Sequence, residues 1–212
     1  MKIITMLAQK GGTGKTTLSI HLAAVAAGGN RKVVIADTDP QGSSSVWSER
    51  RSKILPEVHK YTAQSLKKDI EALTGAGTEF LIIDTPPHST ENATIAASMA
   101  DFIVIPSRPA ILDLAAIGDS VSIANKVGKP GAIVLNCCPP PTRYGETAIV
   151  QEAREALETY GMNVAPTAIS QRAAFSHALI DGRTVTEFEA KGKAAGEVRT
   201  FWKWLKKELD RG

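Results

Sequence analysis

The sequence predicts an α/β fold, a mostly parallel twisted sheet with helices on both faces, and three observations lead there. Strand-like and helix-like segments alternate along nearly the whole chain, the pattern left by repeated parallel crossovers. The strand segments, such as residues 32–36 and 80–83, are almost continuous apolar runs, as strands covered on both faces must be. Several of these runs end in polar or charged clusters, and open α/β sheets bind ligands at the carboxyl edge of their strands. With 212 residues, 43% of them hydrophobic and 22% charged, the chain is long enough for one sizeable core. One domain, 1–212, is expected.

Taken in order, residues 3–8 form the first strand. The run Lys10-Gly11-Gly12-Thr13-Gly14-Lys15-Thr16-Thr17 then leads into a helix over 17–27, which Gly28-Gly29 ends and whose buried stripe is Leu18, Leu22 and Val25. A second strand at 32–36 runs into Asp37-Thr38-Asp39-Pro40-Gln41-Gly42, and a serine-capped helix follows over 43–51. A short strand is expected at 58–62, then a helix over 65–73 with Ser65 as its N-cap. Residues 80–83 and 102–105 are strands separated by a helix over 91–100. Further on come a helix over 113–127, a strand at 132–135, a helix over 146–160 with Ile149, Ala153 and Leu157 in phase, and an edge strand at 163–168. Two C-terminal helices, 172–180 and 196–209, complete the chain.

Composition excludes several classes. No apolar run approaches the roughly 20 residues that cross a bilayer, and the N-terminus enters a strand with no signal-peptide pattern, so a cytoplasmic location is expected. Cys137 and Cys138 are adjacent and lack a C-x-x-C companion, which suits small buried residues better than a disulfide framework or zinc site. The net charge of +3 permits contact with nucleic acid without demanding it.

The chemistry concentrates at the glycine-rich turn. Between a strand and a helix such a turn gathers backbone N–H groups onto phosphate oxygens, with the positive helix end behind them. Lys15 then reaches the β and γ phosphates and Thr16 holds Mg²⁺. The strict G-x-x-x-x-G-K-[ST] pattern fails at its first position, which is Gln9, and an extra lysine, Lys10, stands beside the gap. Asp84 closes the Phe-Leu-Ile-Ile run and either meets Mg²⁺ through water or Thr16, or caps the next helix. Asp37 and Asp39 lie two apart at a strand end, placed for metal and water contacts, with capping of the helix at Ser43 as the plain alternative. Asn136 ends the strand at 132–135.

This set resembles the deviant Walker A ATPases of the ParA/MinD family, whose K-G-G-x-G-K-[ST] loop and D-x-D-P-Q-G segment appear here in the family order, with the strand ending in Asp84 and with Val134-Leu135-Asn136. The resemblance implies ATP and Mg²⁺ as cofactors, with Gly11, Gly12, Thr13, Gly14, Lys15, Thr16 and Thr17 around the phosphates and Asn136 on the adenine edge. It implies Asp39 as the residue that positions the attacking water, and Asp37 and Asp84 near the Mg²⁺ shell with Thr16. It implies for Lys10 a reach across a nucleotide-sandwich homodimer to the partner's ATP.

A small ParA-type ATPase is therefore expected, cytoplasmic and nucleoid-associated. It would sort a plasmid, chromosome or other cargo, and its slow hydrolysis would be stimulated by a ParB-like or other adaptor. The chain starts at its first strand, so an N-terminal helix-turn-helix is not expected.

The resemblance implies non-specific DNA contact at Arg172, and the clustered Arg199, Lys203, Lys206 and Lys207 extend that expectation. The last four share one side of the final helix, opposite Val198, Phe201, Trp202, Leu205 and Leu209. That helix also fits a docked terminal helix with a solvated basic face, or a membrane-surface anchor like the tail of MinD. A MinD-like membrane-associated ATPase and a biotin-pathway ligase of related fold are the alternatives. An iron-sulfur reductase needs well-separated cysteines that this chain lacks.

Overall fold

Seven strands, β1 (Lys2–Met6), β2 (Val33–Asp37), β3 (Glu57–Lys60), β4 (Phe80–Asp84), β5 (Phe102–Ser107), β6 (Gly131–Leu135) and β7 (Asn163–Val164), pair in parallel in the order β3-β2-β4-β1-β5-β6-β7. The structure is a computed structural model and describes residues 1–211. The chain moves to one side of β1 for β2 to β4 and to the other for β5 to β7. The crevice at the carboxyl end of β1 is therefore the topological switch point where ligands bind in such sheets. Register aligns that edge: Met6 lies beside Asp84, and Asp84 beside Asp37.

The period-2 alternation of the strands divides the core. Ile4, Met6, Val33, Ile35, Ile82 and Val104 face α1 (Lys15–Ala26), α8 (Ala173–Ile180) and α10 (Lys193–Arg211). On the opposite face Ile3, Val34, Leu81 and Ile83 pack against α3 (Ala63–Gly75) and α4 (Thr90–Met99). Ile103, Ile105 and Ile133 meet α4, α6 (Ile117–Val127) and α7 (Ala148–Glu158) there. The expected layering of helices on both faces is present.

The local expectations fail in informative places. The helix at 65–73 begins earlier, because Thr62 is its cap: the Ser65 N–H donates to Thr62 Oγ1 and the Thr62 N–H to Ser65 Oγ, each at 3.0 Å, a capping box. The helix expected over 113–127 is two, α5 (Ile111–Ala115) and α6, meeting at Ala116, and Asp113 beside the break pairs with Lys10. In α7 the buried stripe is Val150, Ala153 and Leu157, and Ile149 is exposed. The edge strand is only two residues long. A four-residue helix, α9 (Val185–Phe188), was not expected; its capping box joins Thr184 to Glu187. After α2 (Ser43–Glu49) the Arg51 guanidinium reaches Glu187 at 2.8 and 2.9 Å, tying that segment to α9.

The final helix, expected over 196–209, runs from Lys193 to Arg211, and its stripe of Val198, Phe201, Trp202, Leu205 and Leu209 is buried in the core. Trp202 meets Phe80 edge-on, and Trp204 stacks on Phe201. A helix whose apolar side is already covered has none to offer a bilayer, so the membrane-anchor reading of α10 falls. Among the described residues no helix is long and apolar enough to cross a membrane.

Candidate nucleotide site

The glycine-rich loop joins β1 to α1 through two left-handed residues, Gly12 at φ +75° and Gly14 at φ +91°. Gly14 is constrained twice, since a Cβ there would also overlap the Asn136 amide nitrogen. Among the described residues the N–H groups of Gly11, Gly12, Thr13 and Gly14 make no hydrogen bond within the chain. The first turn of α1 adds its own unpaired donors. Thr13 Oγ1 is likewise buried without a partner. This cluster of unsatisfied donors at a helix N-terminus suits a phosphate chain.

The Lys15 ammonium lies inside the loop and donates to the carbonyls of Ala8 at 3.0 Å and Lys10 at 3.4 Å. Burial lowers its pKa, and the charges of Asp84 and Asp39 oppose that shift. Asp84 at the end of β4 is buried and accepts from Ser44 Oγ at 2.7 Å and Ser19 Oγ at 3.2 Å. Burial pushes its pKa up to about 6, while hydrogen bonds from Ser44, Thr16 and Ser19 hold it down. A buried carboxylate that meets only hydroxyls, beside the Thr16 side chain, is the donor set that Mg²⁺ accepts when substrate phosphates supply the other oxygens. Among the described residues no group of three or more His, Cys, Asp or Glu side chains forms a metal cage, so such an ion would depend on those phosphates.

The two carboxylates after β2 divide their work. Asp37 Oδ2 accepts from the Ser45 N–H at 2.9 Å and Ser45 Oγ at 2.7 Å, so Asp37 holds the start of α2. The capping alternative describes these contacts, while register keeps Asp37 beside Asp84, whose pKa its charge helps to raise, and Ser44 is the neighbour that bonds to Asp84. Asp39 is half-buried on the following turn and accepts from the Gln41 N–H at 2.9 Å, near enough to Lys15 to act on its charge.

Lys10 Nζ pairs with Asp113 Oδ2 at 2.9 Å within its own chain. The sequence marks Asp113 only as the start of the helix expected over 113–127. Position at the carboxyl edge is the signal that marks it.

Asn136 Nδ2 donates to the Thr13 carbonyl at 2.7 Å, fixing the end of β6 against the loop. It borders a cavity of about 170 Å³ lined by Gly14, Thr17, Gln171, Arg172 and Phe175, among others. That hollow opens beside the phosphate loop. Arg172 is the clearest misplacement. Its guanidinium donates to Glu197 Oε1 at 2.7 Å, faces this hollow, and is already neutralised, which removes it from the DNA-facing set. Arg199, Lys203, Lys206 and Lys207 are all exposed on α10.

With this geometry in place, comparison with known proteins is specific. Residues 4–185 match the family model described as the CobQ/CobB/MinD/ParA nucleotide binding domain. The chain is 32% identical over 213 residues to the maintenance of carboxysome distribution protein A of Gloeobacter kilaueensis, covering 99% of this chain and 94% of that protein. Among solved structures, apo McdA of Cyanothece superimposes with a TM-score of 0.80 at 16% identity, covering 99% of both chains. An ATP complex of a variant of that protein gives 0.73 at 16% identity, over 99% of this chain and 96% of the other. The chain belongs to the CobQ/CobB/MinD/ParA family of nucleotide-binding domains.

Proposed function

We propose that this protein is a ParA/MinD-type positioning ATPase that binds ATP with Mg²⁺, dimerises on it, and releases its partner subunit when the ATP is hydrolysed. The observation that carries the reading is the pairing of two lysines in one loop. Lys15 points into the loop, whereas Lys10 points outward to Asp113 on the rim. A lysine outside its own phosphate cradle is placed to serve a second subunit, as an arginine finger supplied in trans does. Thr16 and Asp84 hold the metal, Asn136 borders the base, and Asp39 orients the attacking water.

The exposed basic side of α10 supplies non-specific DNA contact, because phosphate binding needs only clustered cations. Full-length likeness to a carboxysome distribution protein supports a protein-bounded compartment as cargo, reached through an adaptor that also stimulates hydrolysis.

Sedimentation with ATP and Mg²⁺ tests the core of the reading. The wild type is expected to dimerise, and Lys10→Ala to stay monomeric while still binding ATP. A dimer that survives Lys10→Ala would sink the trans role, and ATPase unchanged in Lys15→Ala would sink the nucleotide assignment. For DNA, replacing Lys203, Lys206 and Lys207 together by Ala should weaken binding at low salt and flatten its salt dependence by about three phosphate contacts. An unaltered salt slope would remove α10 from the DNA surface.

A further inference from the structure

Three cations surround the phosphate loop, and two of them are held within the chain. Lys15 lies on the carbonyls of Ala8 and Lys10, and Lys10 lies on Asp113. The third is Arg108, the first residue after β5 and so on the same carboxyl edge. Its guanidinium Nη2 stands 3.5 Å from the point a Cβ on Gly12 would occupy. Within 4 Å of that point, among the described residues, there is no other group beyond the loop's own neighbours.

Among the described residues no carboxylate pairs with Arg108, and its guanidinium donates no hydrogen bond to an oxygen of the chain. The Cys137 thiol lies near it. Burial raises that thiol's pKa, and Arg108 holds it down by charge and hydrogen bonding. A thiol is a weak acceptor and leaves most of the five guanidinium donors unused. Arg108 therefore sits between Gly12, whose N–H has no partner among the described residues, and Cys137, which lines the cavity next to Asn136. A polyphosphate held by the loop and reaching toward that cavity would pass close to this guanidinium.

We propose that Arg108 contacts the nucleotide, closing over the phosphate loop of its own subunit and donating to the polyphosphate of bound ATP or ADP. The inference rests on the ATP reading above and adds a ligand-binding residue from β5 to those on the β1, β4 and β6 ends. An arginine suits the place, because its planar fork makes paired hydrogen bonds to phosphate oxygens while a lysine supplies a point charge.

Calorimetric titration with ATP and with ADP, in Mg²⁺ buffer, tests this in the full chain. Arg108→Ala is expected to weaken both affinities about tenfold or more, the range of one charge-assisted contact. Arg108→Lys should fall between the two. Because Arg108 is exposed, the unfolding midpoint without nucleotide should not move, while the rise in midpoint on adding ATP should shrink.

Lys15→Ala separates the two levels of the argument. If Arg108→Ala binds like the wild type while Lys15→Ala does not, the role of Arg108 is overturned and the ATP reading stands. Unchanged affinity in both overturns both. The loss should persist in a Lys10→Ala background, and its disappearance there would overturn contact within one subunit.

Discussion

Asp84→Asn should make the nucleotide-free protein more stable at neutral pH while abolishing Mg²⁺-dependent hydrolysis. The carboxylate is buried, meets two serine hydroxyls and has no cation within 4 Å among the described residues. Burial raises its pKa from 3.8 to about 6, which corresponds to about 3 kcal/mol between the charged and neutral forms. The sign follows from linkage. Because the folded pKa is the higher one, the fold loses nothing below about pH 4, where the group is protonated in both states. The penalty grows as pH rises toward about 6 and stays constant above it.

Asn is neutral throughout and keeps a carbonyl oxygen for one serine. Urea titrations without Mg²⁺ or nucleotide should therefore show Asp84→Asn gaining about 1–3 kcal/mol near pH 8 and almost nothing near pH 4. Equal stability of the two proteins near pH 8, or a gain as large at acid pH, would refute the reasoning. The expected result would mean that the chain keeps this carboxylate against its own stability, as a ligand-binding residue must.

Two further changes probe the loop and its helix. Gly14→Ala forces a side chain into a left-handed residue, at about 1–2 kcal/mol, and displaces the Asn136 amide that bonds to Thr13. ATP affinity should fall more than about tenfold in calorimetry, and wild-type affinity would show that the loop relaxes around the methyl. His21 is buried in α1 and accepts the Val185 N–H at 3.2 Å, so its proton is on Nε2. Burial lowers its pKa from 6.5 to about 3, opposed by the charge of Glu187. The depressed pKa means that stability present above about pH 6.5 is lost as pH falls toward 3. In His21→Leu the curve of stability against pH should be flatter across that window, and an unaltered curve would place the acid sensitivity elsewhere.

The sheet and the phosphate loop were legible because their signals are local. An apolar run announces a buried strand, and the three glycines before Lys15 announce a turn that a left-handed backbone closes at Gly12 and Gly14. Asp84 was legible by position, at the end of such a run. What escaped depends on partners far apart in the chain. Arg172 looked like a free surface cation, and only the fold brings Glu197 against it. Arg51 and Glu187, 136 residues apart, join segments that sequence could not pair. Asp37 was read with Asp39 as one motif, yet the turn of α2 takes its carboxylate for Ser45. Ile149 missed its stripe by one position, an error that periodicity permits when Val150 is equally apolar. Arg108 and Asp113 could have been found, since both follow β5 at the edge where the other functional residues gather.

The charges around the loop make the ligand-free subunit a self-contained arrangement. Lys15 lies on backbone carbonyls, Lys10 on Asp113, and Asp84 on serine hydroxyls. The Lys10–Asp113 pair is part-exposed, with 35% and 11% of its side chains accessible, so it contributes at most about 1 kcal/mol. In the proposed dimer two such pairs must open, which opposes association by about 2 kcal/mol or less, roughly a thirtyfold change in the dimer constant. That is too little to forbid assembly and enough to discourage it until a triphosphate offers each lysine a more highly charged partner. On the proposed reading, the lysine that marks the family in sequence also opposes assembly of the empty subunit, through Asp113, a residue that the loop motif does not contain.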